Sequence, residues 1–441
     1  MPDPAAAFDS NPPATSRRTC VRRLLAGTAG ALAAPLVPSD SPAAAAGLPA
    51  RVAAGAQDET YWALVQAQFP LADGVLPLNA ANLAPAPRPV LDAVTAAMRD
   101  VEADISFQNR AKYDALREQV RERLAAYLGA AADEIAIVRN TSEANNIIAG
   151  GLPLRAGDEV VLHAENHATN SVAWDVRAAR YGFAVRRVAV RPDMSAAEMI
   201  NTFRGALTPR TRVLSFTDVS NTTGIRLPAR ALCALARERG IHAHVDGAQS
   251  FGLLQLNLHE LGCDSYAASA HKWFMGPKEA GVLYVRAARA PEIWPGVVGI
   301  GWGGTADAAP AGARRFETLG QRNDATTAGL DAALGFHDTI GPASIEARVL
   351  ALAGALKDRL AQIPGATITT PGDPERSAGV VITRFAGVDH GALYERLYRD
   401  HGFAGAATGG LRLCPHIYTT MADIARLAAA VRTAAAASKA A

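Results

Sequence analysis

Between residues 134 and 285 short, mainly apolar runs alternate with stretches whose apolar positions recur every three or four residues. The runs Glu134–Val138, Glu159–Leu162, Ala184–Val190, Arg212–Phe216, Ile241–Val245, Ser265–Ala268 and Gly281–Val285 are predicted strands. Between them lie predicted helices at Thr141–Ile148, Ser171–Arg180, Ser195–Leu207 (capped by Ser195) and Pro228–Arg239, the last stopped by Gly240. Two further helices precede them, Pro89–Val101 with proline at its start and Tyr113–Leu128 ending at Gly129. Repeated strand–helix–strand units predict an α/β fold whose mostly parallel sheet is covered by helices on both faces. Right-handed crossovers then bring the loops that follow the strand C-termini to one edge of the sheet, where ligands bind. Gly296–Gly304 reads as a loop. Beyond about Phe336 the pattern shifts to long helices with few strands. The expected organisation is a leader at 1–46, an N-terminal segment at 47–77, a large domain at 78–336 and a smaller C-terminal α+β domain at 337–441.

The leader has the form of an address. Ser16-Arg17-Arg18-Thr19-Cys20-Val21-Arg22 is a twin-arginine pattern, followed by an apolar run from Leu24 to Val37 and by Ala43-Ala44-Ala45-Ala46. A basic region, a short apolar region and small residues at a cleavage point make a signal peptide, here for the twin-arginine export machinery and the periplasm. The run is short for a bilayer and broken by Pro35 and Pro38, so no stable membrane insertion is expected.

Composition narrows the chemistry. At 49% hydrophobic and 20% charged the 441-residue chain is that of a globular protein, and a net charge of +2 shows no nucleic-acid footprint. The four cysteines are scattered and imply neither a disulfide framework nor a metal cluster. Only five lysines stand among 44 cationic residues: Lys112, Lys272, Lys278, Lys357 and Lys439. Chemistry that needs a neutral amine therefore has few places to happen. Lys112 and Lys357 are expected on helix surfaces, Lys439 in the tail, and Lys278 solvated on a glycine–proline loop.

Lys272 is different, because Ser269-Ala270-His271-Lys272 follows a predicted buried strand and puts its amine at the ligand edge. Desolvation and nearby positive charge would favour the neutral amine that a Schiff-base nucleophile requires. Val245-Asp246-Gly247-Ala248-Gln249 closes another strand at that edge. A carboxylate emerging from a dry sheet needs a cation, and a protonated pyridine nitrogen is one. Asn140-Thr141-Ser142-Glu143-Ala144-Asn145 opens a helix directly after a strand, so hydroxyls sit beside unpaired N–H groups in a ready phosphate site. No G-x-G-x-x-G follows the first strand, which counts against a dinucleotide. A phosphate cradle, an edge aspartate and an amine, in that order, fit pyridoxal phosphate better.

The run Val245-Asp246-Gly247-Ala248-Gln249 … Ser269-Ala270-His271-Lys272 resembles the class V aminotransferases. These are fold-type I pyridoxal-phosphate enzymes that include cysteine desulfurases and isopenicillin-N epimerase-like proteins, and the match runs from about Leu78 to Arg412. The resemblance implies that Lys272 forms the internal aldimine, Asp246 pairs with the pyridine nitrogen, and Gln249 bonds the phenolic oxygen with Asn221 beside it. It implies that His167 stacks on the ring, that Thr141, Ser142, Ser269 and His271 hold the phosphate, and that Arg412 binds the substrate carboxylate. Gln321 stands where relatives often have a threonine that reaches the neighbouring subunit's phosphate. A homodimer follows from the same likeness.

Cysteine desulfurases carry a cysteine on a loop shortly before the residue matching Arg412. The stretch Asp400–Gly410 has none, so a desulfurase is not expected, and Cys414 is expected to be a small buried hydrophobe. Transamination, epimerisation, elimination and decarboxylation all stay open, each acting on an amino acid or peptide-like substrate through an external aldimine. An exported member could serve siderophore tailoring, by analogy with pyoverdine-maturing relatives. A nicotinamide oxidoreductase or a periplasmic solute-binding protein would share the α/β layout.

Overall fold

The computed structural model describes residue 55 and residues 57–305 and 307–440. The twin-arginine leader, at 1–46, lies outside the described residues. Helix α1 (Glu59–Gln66) is started by the Asp58 side chain, which accepts from the Tyr61 N–H, and strand β1 (Leu76–Pro77) follows. Helix α2 (Arg88–Ala103) begins with proline inside its first turn, as the sequence indicates. Helix α3 runs Phe107–Leu128, six residues earlier than expected, because Ser106 caps its start by accepting from the Asn109 N–H. It ends at Gly129 in the left-handed conformation.

The βα units come next: β2 (Ile135–Val138), α4 (Thr141–Gly151), β3 (Glu159–His163), α5 (Ala168–Tyr181), β4 (Ala184–Val188), α6 (Ala196–Ala206), β5 (Thr211–Thr217), α7 (Ala229–Glu238) and β6 (His242–Asp246). A short helix α8 (Leu258–Leu261), then β7 (Ser265–Ser269) and β8 (Gly281–Val285), complete the series. Each predicted strand is present within two residues of its expected ends. Helix α5 starts three residues early, since His167 serves as its cap. The seven strands form one sheet in the order β2-β8-β7-β6-β5-β3-β4. β3, β4, β5, β6 and β7 pair in parallel, and β8 runs antiparallel to both β7 and β2. β2, β6, β7 and β8 are buried at every residue, which explains the nearly unbroken apolar runs of β2 and β8, whereas β6 buries His242, His244 and Asp246 on one face. Apolar side chains fill both faces. Val245, Phe216, Leu214 and Tyr266 meet Leu124, Phe203 and Leu232 on one side, while Val160, Leu162 and Val213 meet Ile148 and Trp174 on the other.

The C-terminal stretch carries α9 (Asp324–Ile340), α10 (Pro342–Ala361), β9 (Ala366–Ile368), β10 (Val381–Phe385), α11 (His390–His401), β11 (Phe403–Ala404), β12 (Leu411–Leu413) and α12 (Met421–Ala440). β9, β10 and β12 form an antiparallel three-stranded sheet, and β11 pairs in parallel with β1. That pairing, continued by a bridge between Asn79 and Cys414, draws residues 76–79 beside β12. Cys233, Cys263 and Cys414 are free and buried, the burial being that expected for Cys414.

Lys357 is a correction. It was expected on a helix surface, but it is 8% exposed. Its amine donates to the Pro371 and Gly372 carbonyls and the Ser377 hydroxyl. Carbonyls arching over the amine replace its water, and burial still pushes its pKa down. Among the described residues no single helix is long and apolar enough to cross a membrane.

Candidate active site

Five strand ends deliver the site. Beyond β2, Asn140 is extended and its side chain accepts the Glu143 N–H, which starts α4 at Thr141. The Thr141 N–H donates to Ser269 Oγ at 2.8 Å, and the two hydroxyls lie 2.6 Å apart. These bonds tie the first turn of α4 to the end of β7, beside helix-opening N–H groups suited to an anion. Ser142 lies one residue on and lines a cavity with Arg139, Asn146, Arg177, Val297 and Leu319.

Asp246 closes β6 and is 1% exposed. Its Oδ1 accepts the Ala248 N–H at 3.1 Å and its Oδ2 accepts from Asn145 Nδ2 at 2.9 Å. Gly247 must be glycine for steric reasons, since a Cβ there would lie 1.9 Å from the Tyr266 ring. Among the described residues neither Asp246 nor Lys272 forms an ion pair, so a buried carboxylate stands without a cation. A protonated ring nitrogen would complete it, and in this respect the residues fit the cofactor.

Lys272 is half-buried on the turn after β7. Burial pulls its pKa below the ordinary lysine value, Asp246 opposes that shift, and Arg412 adds to it. His167 caps α5 at the opening of the site, and its Nδ1 lies 3.1 Å from Thr169 Oγ1. Burial, then Lys272 and Arg412, lower its pKa against the pull of Asp246. These mutual effects put Lys272, Asp246, His167 and Arg412 in one electrostatic neighbourhood. Burial and the amines of Lys272 and Lys278 bring His271 to about 4, so its ring is neutral at pH 7.

Arg412 is 6% exposed on β12. Its Nη1 donates to the Asn221 carbonyl at 3.1 Å and its Nη2 to Asn79 Oδ1 at 2.9 Å, while Nε has no partner. An oriented guanidinium with an unused buried N–H is suited to a carboxylate. Gly409, with φ at +74°, lets the preceding loop press on the Thr222 carbonyl, where a Cβ would come within 2.2 Å. Asn221 contributes its backbone to this arrangement. Gln249 is held at both ends, donating to the Ala81 carbonyl at 2.9 Å and accepting from Trp273 Nε1 at 2.8 Å. One amide hydrogen is left for a ligand. Gln321 is exposed, and its hydrogen bonds are to Arg110 and the Arg322 carbonyl. Lys278 is exposed too, with one bond to the Ala84 carbonyl.

Several participants were not singled out from sequence. Asn145 lies one helical turn after Thr141, a spacing that places both on one face. Trp273 directly follows Lys272. Asn79 is 333 residues from Arg412 and carries no local signal.

The class-V aminotransferase family model matches residues 78–432. Isopenicillin N epimerase from Amycolatopsis lactamdurans is 33% identical over 393 residues, covering 85% of this chain and 98% of that protein. A cysteine desulfurase from Klebsiella pneumoniae subsp. pneumoniae is 34% identical over 273 residues, 59% of this chain and 66% of its own length. Among solved structures, the cystine C–S lyase C-DES in complex with cysteine persulfide superposes with a TM-score of 0.77 at 27% identity, covering 83% of this chain and 99% of that one. Another form of C-DES, with glycine joined covalently to its pyridoxal-phosphate cofactor, gives 0.77 at 26% identity over 83% and 98% of the two chains. The sheet order, the strand-end lysine and aspartate and these likenesses converge: the chain belongs to the class-V aminotransferase family and has the fold-type I architecture of pyridoxal-phosphate-dependent enzymes.

Proposed function

We propose that the protein is an exported enzyme that acts at the amine-bearing carbon of an amino acid or peptide-like substrate, in the manner of an aminotransferase or epimerase and not of a desulfurase. The observation that carries this reading is the gathering of Lys272, Asp246, His167 and Arg412 at one edge of the sheet. A peptide-like substrate is supported by the similarity to isopenicillin N epimerase along nearly that protein's whole length. Against sulfur transfer stands the lack of any cysteine in Asp400–Gly410, while burial raises the Cys414 thiol pKa and keeps it from the thiolate form. Export rests on the arginine pair at 17–18 and the apolar run after it. Exposed Ile105, Phe107, Trp294, Val298 and Ile300 offer apolar surface for the homodimer that belongs to this reading.

Pyridoxal phosphate, when bound, supplies an electron-withdrawing ring that stabilises negative charge developing beside the substrate amine. Thr141, Ser269 and the N–H groups opening α4 would hold its phosphate, Asp246 its ring nitrogen and Gln249 its phenolic oxygen. Arg412 grips the substrate carboxylate and so decides which bond at the reacting carbon is weakened. Lys272 Nζ, its pKa lowered by burial, takes the proton from that carbon. His167 covers the opening and excludes water from that face. A carbon–sulfur lyase is the second reading, favoured by the likeness to the cystine lyase.

Purified full-length protein with the cofactor is expected to absorb in the visible, to lose that band on borohydride treatment and to carry the modification on Lys272. Lys272→Ala is expected to abolish the labelling and to lower turnover by at least about 10³-fold. Retention of the label in that variant defeats the reading. Incubating the wild-type enzyme with amino acids and short peptides in D2O then separates the outcomes. Exchange with racemisation marks an epimerase, and accumulation of the amine form of the cofactor marks a transaminase.

A further inference from the structure

Behind Asp246 lies a buried polar row that the proposed mechanism does not use. Alternation along β6 turns His242, His244 and Asp246 to one face of the sheet, away from Ala243 and Val245. Ser265 Oγ lies 2.9 Å from His242 Nε2 and 2.8 Å from His244 Nδ1. His244 Nε2 lies 2.9 Å from Asn145 Oδ1, and Asn145 Nδ2 donates to Asp246 Oδ2 at 2.9 Å and to Thr169 Oγ1 at 3.4 Å. Thr169 Oγ1 in turn meets His167 Nδ1. His242, His244, Asn145 and Ser265 are at most 2% exposed.

These contacts have one self-consistent direction. A serine hydroxyl has a single hydrogen, so Ser265 donates to one histidine and accepts from the other. If it donates to His244 Nδ1, His244 carries its proton on Nε2 and donates to Asn145 Oδ1. The amide then turns its N–H groups to Asp246 and Thr169, and His242 donates to Ser265 from Nε2. The chain's far end is the His242 Nδ1 lone pair, which has no partner. Reversal would make that orphan a buried N–H, which is costlier than an unused lone pair, and would turn the Asn145 oxygen against the carboxylate. At the near end, the Thr169 N–H donates to His167 Nδ1, which fixes that nitrogen as an acceptor in agreement with the first direction.

We propose that His242, Ser265, His244 and Asn145 form a one-way hydrogen-bond chain that holds Asp246 as a pure acceptor and His167 as its Nε2–H tautomer, with His244 and Asn145 as positioning residues for both. This rests on the assignment of Asp246 to the cofactor's ring nitrogen.

The test uses holoenzyme reconstituted with cofactor labelled with 15N in the ring and reads the ring-nitrogen shift. Asp246→Asn is expected to move it to the unprotonated position. His244→Phe and Asn145→Leu are expected to move it part of the way, the second further than the first, with kcat down about tenfold and KM within about twofold of wild type. If Asp246→Asn shifts the signal and the other two leave it at the wild-type value, the chain is overturned and the aspartate assignment survives. If Asp246→Asn leaves it unmoved, that assignment fails and takes the chain with it. Wild-type protein labelled with 15N-histidine gives a reading free of folding defects. His244 and His167 protonated at Nε2 support the proposal, and a His244 protonated at Nδ1 overturns it.

Discussion

Arg412 illustrates how much single residues reveal before their surroundings are known. Its place in Gly410-Leu411-Arg412-Leu413 suggested a carboxylate ligand through the family resemblance, but only folding shows how it is aimed. Asn79 and the Asn221 carbonyl occupy its two terminal nitrogens, and Nε is left open. Arg412→Leu is expected to raise KM for a carboxylate-bearing substrate by about 10- to 100-fold while leaving the visible cofactor band intact. Spectra and steady-state kinetics on one preparation check both halves. Loss of the band would place Arg412 on the cofactor instead. The place of Lys272 just after a buried strand was legible from sequence, whereas the burial of Lys357 was not, since the carbonyls and the hydroxyl that receive its amine lie 14 to 20 residues away.

Elements were legible where their side-chain period was clean. β2 and β8 are short apolar runs, while β6 alternates the buried polar residues His242, His244 and Asp246 with Ala243 and Val245. Helix starts were less legible, because Ser106 and His167 act as caps through geometry that the apolar pattern does not mark. The position of β2 at the sheet edge was not legible either. Its outward backbone groups are satisfied by side chains: Arg121 donates to the Ile135 carbonyl, the Ile137 N–H donates to Glu317, and Arg322 donates to the Ile137 carbonyl. Arg121 also pairs with Glu317 at 2.5 Å, where the two are 2% and 8% exposed. Glu317→Ala should therefore cost about 3 kcal/mol of stability and speed amide exchange at Ile137. Denaturant melts and hydrogen exchange measure these. Wild-type protection in the variant would show that β2 needs no such cover. Because β2 leads directly into Thr141, cofactor affinity is expected to weaken with it.

For the molecule as a whole, the interior histidines set a limit in acid. Burial holds His242, His244 and His416 at about 3 and His337 at about 4, against an ordinary value of 6.5. The unfolded chain takes up protons as pH falls through 6.5, while the folded chain does so only near its own lower values. Their contribution is therefore complete above about pH 6.5 and drains away toward pH 3–4, by up to about 1.4 kcal/mol per pH unit for each histidine. Melting temperature should fall steeply between pH 7 and 5, before most carboxylates titrate. A flat profile over that interval would mean that these rings are already solvated.

By itself the sequence determined the alternating α/β pattern and the position of Asp246 and Lys272 at strand ends, because local periodicity and turn chemistry depend on near neighbours. Tertiary structure decided which distant groups complete the site. Asn145 reaches Asp246 across 101 residues, and Asn79 reaches Arg412 across 333. Such contacts follow from strand order and register, which depend on how whole elements pack, and no local stretch of sequence contains them.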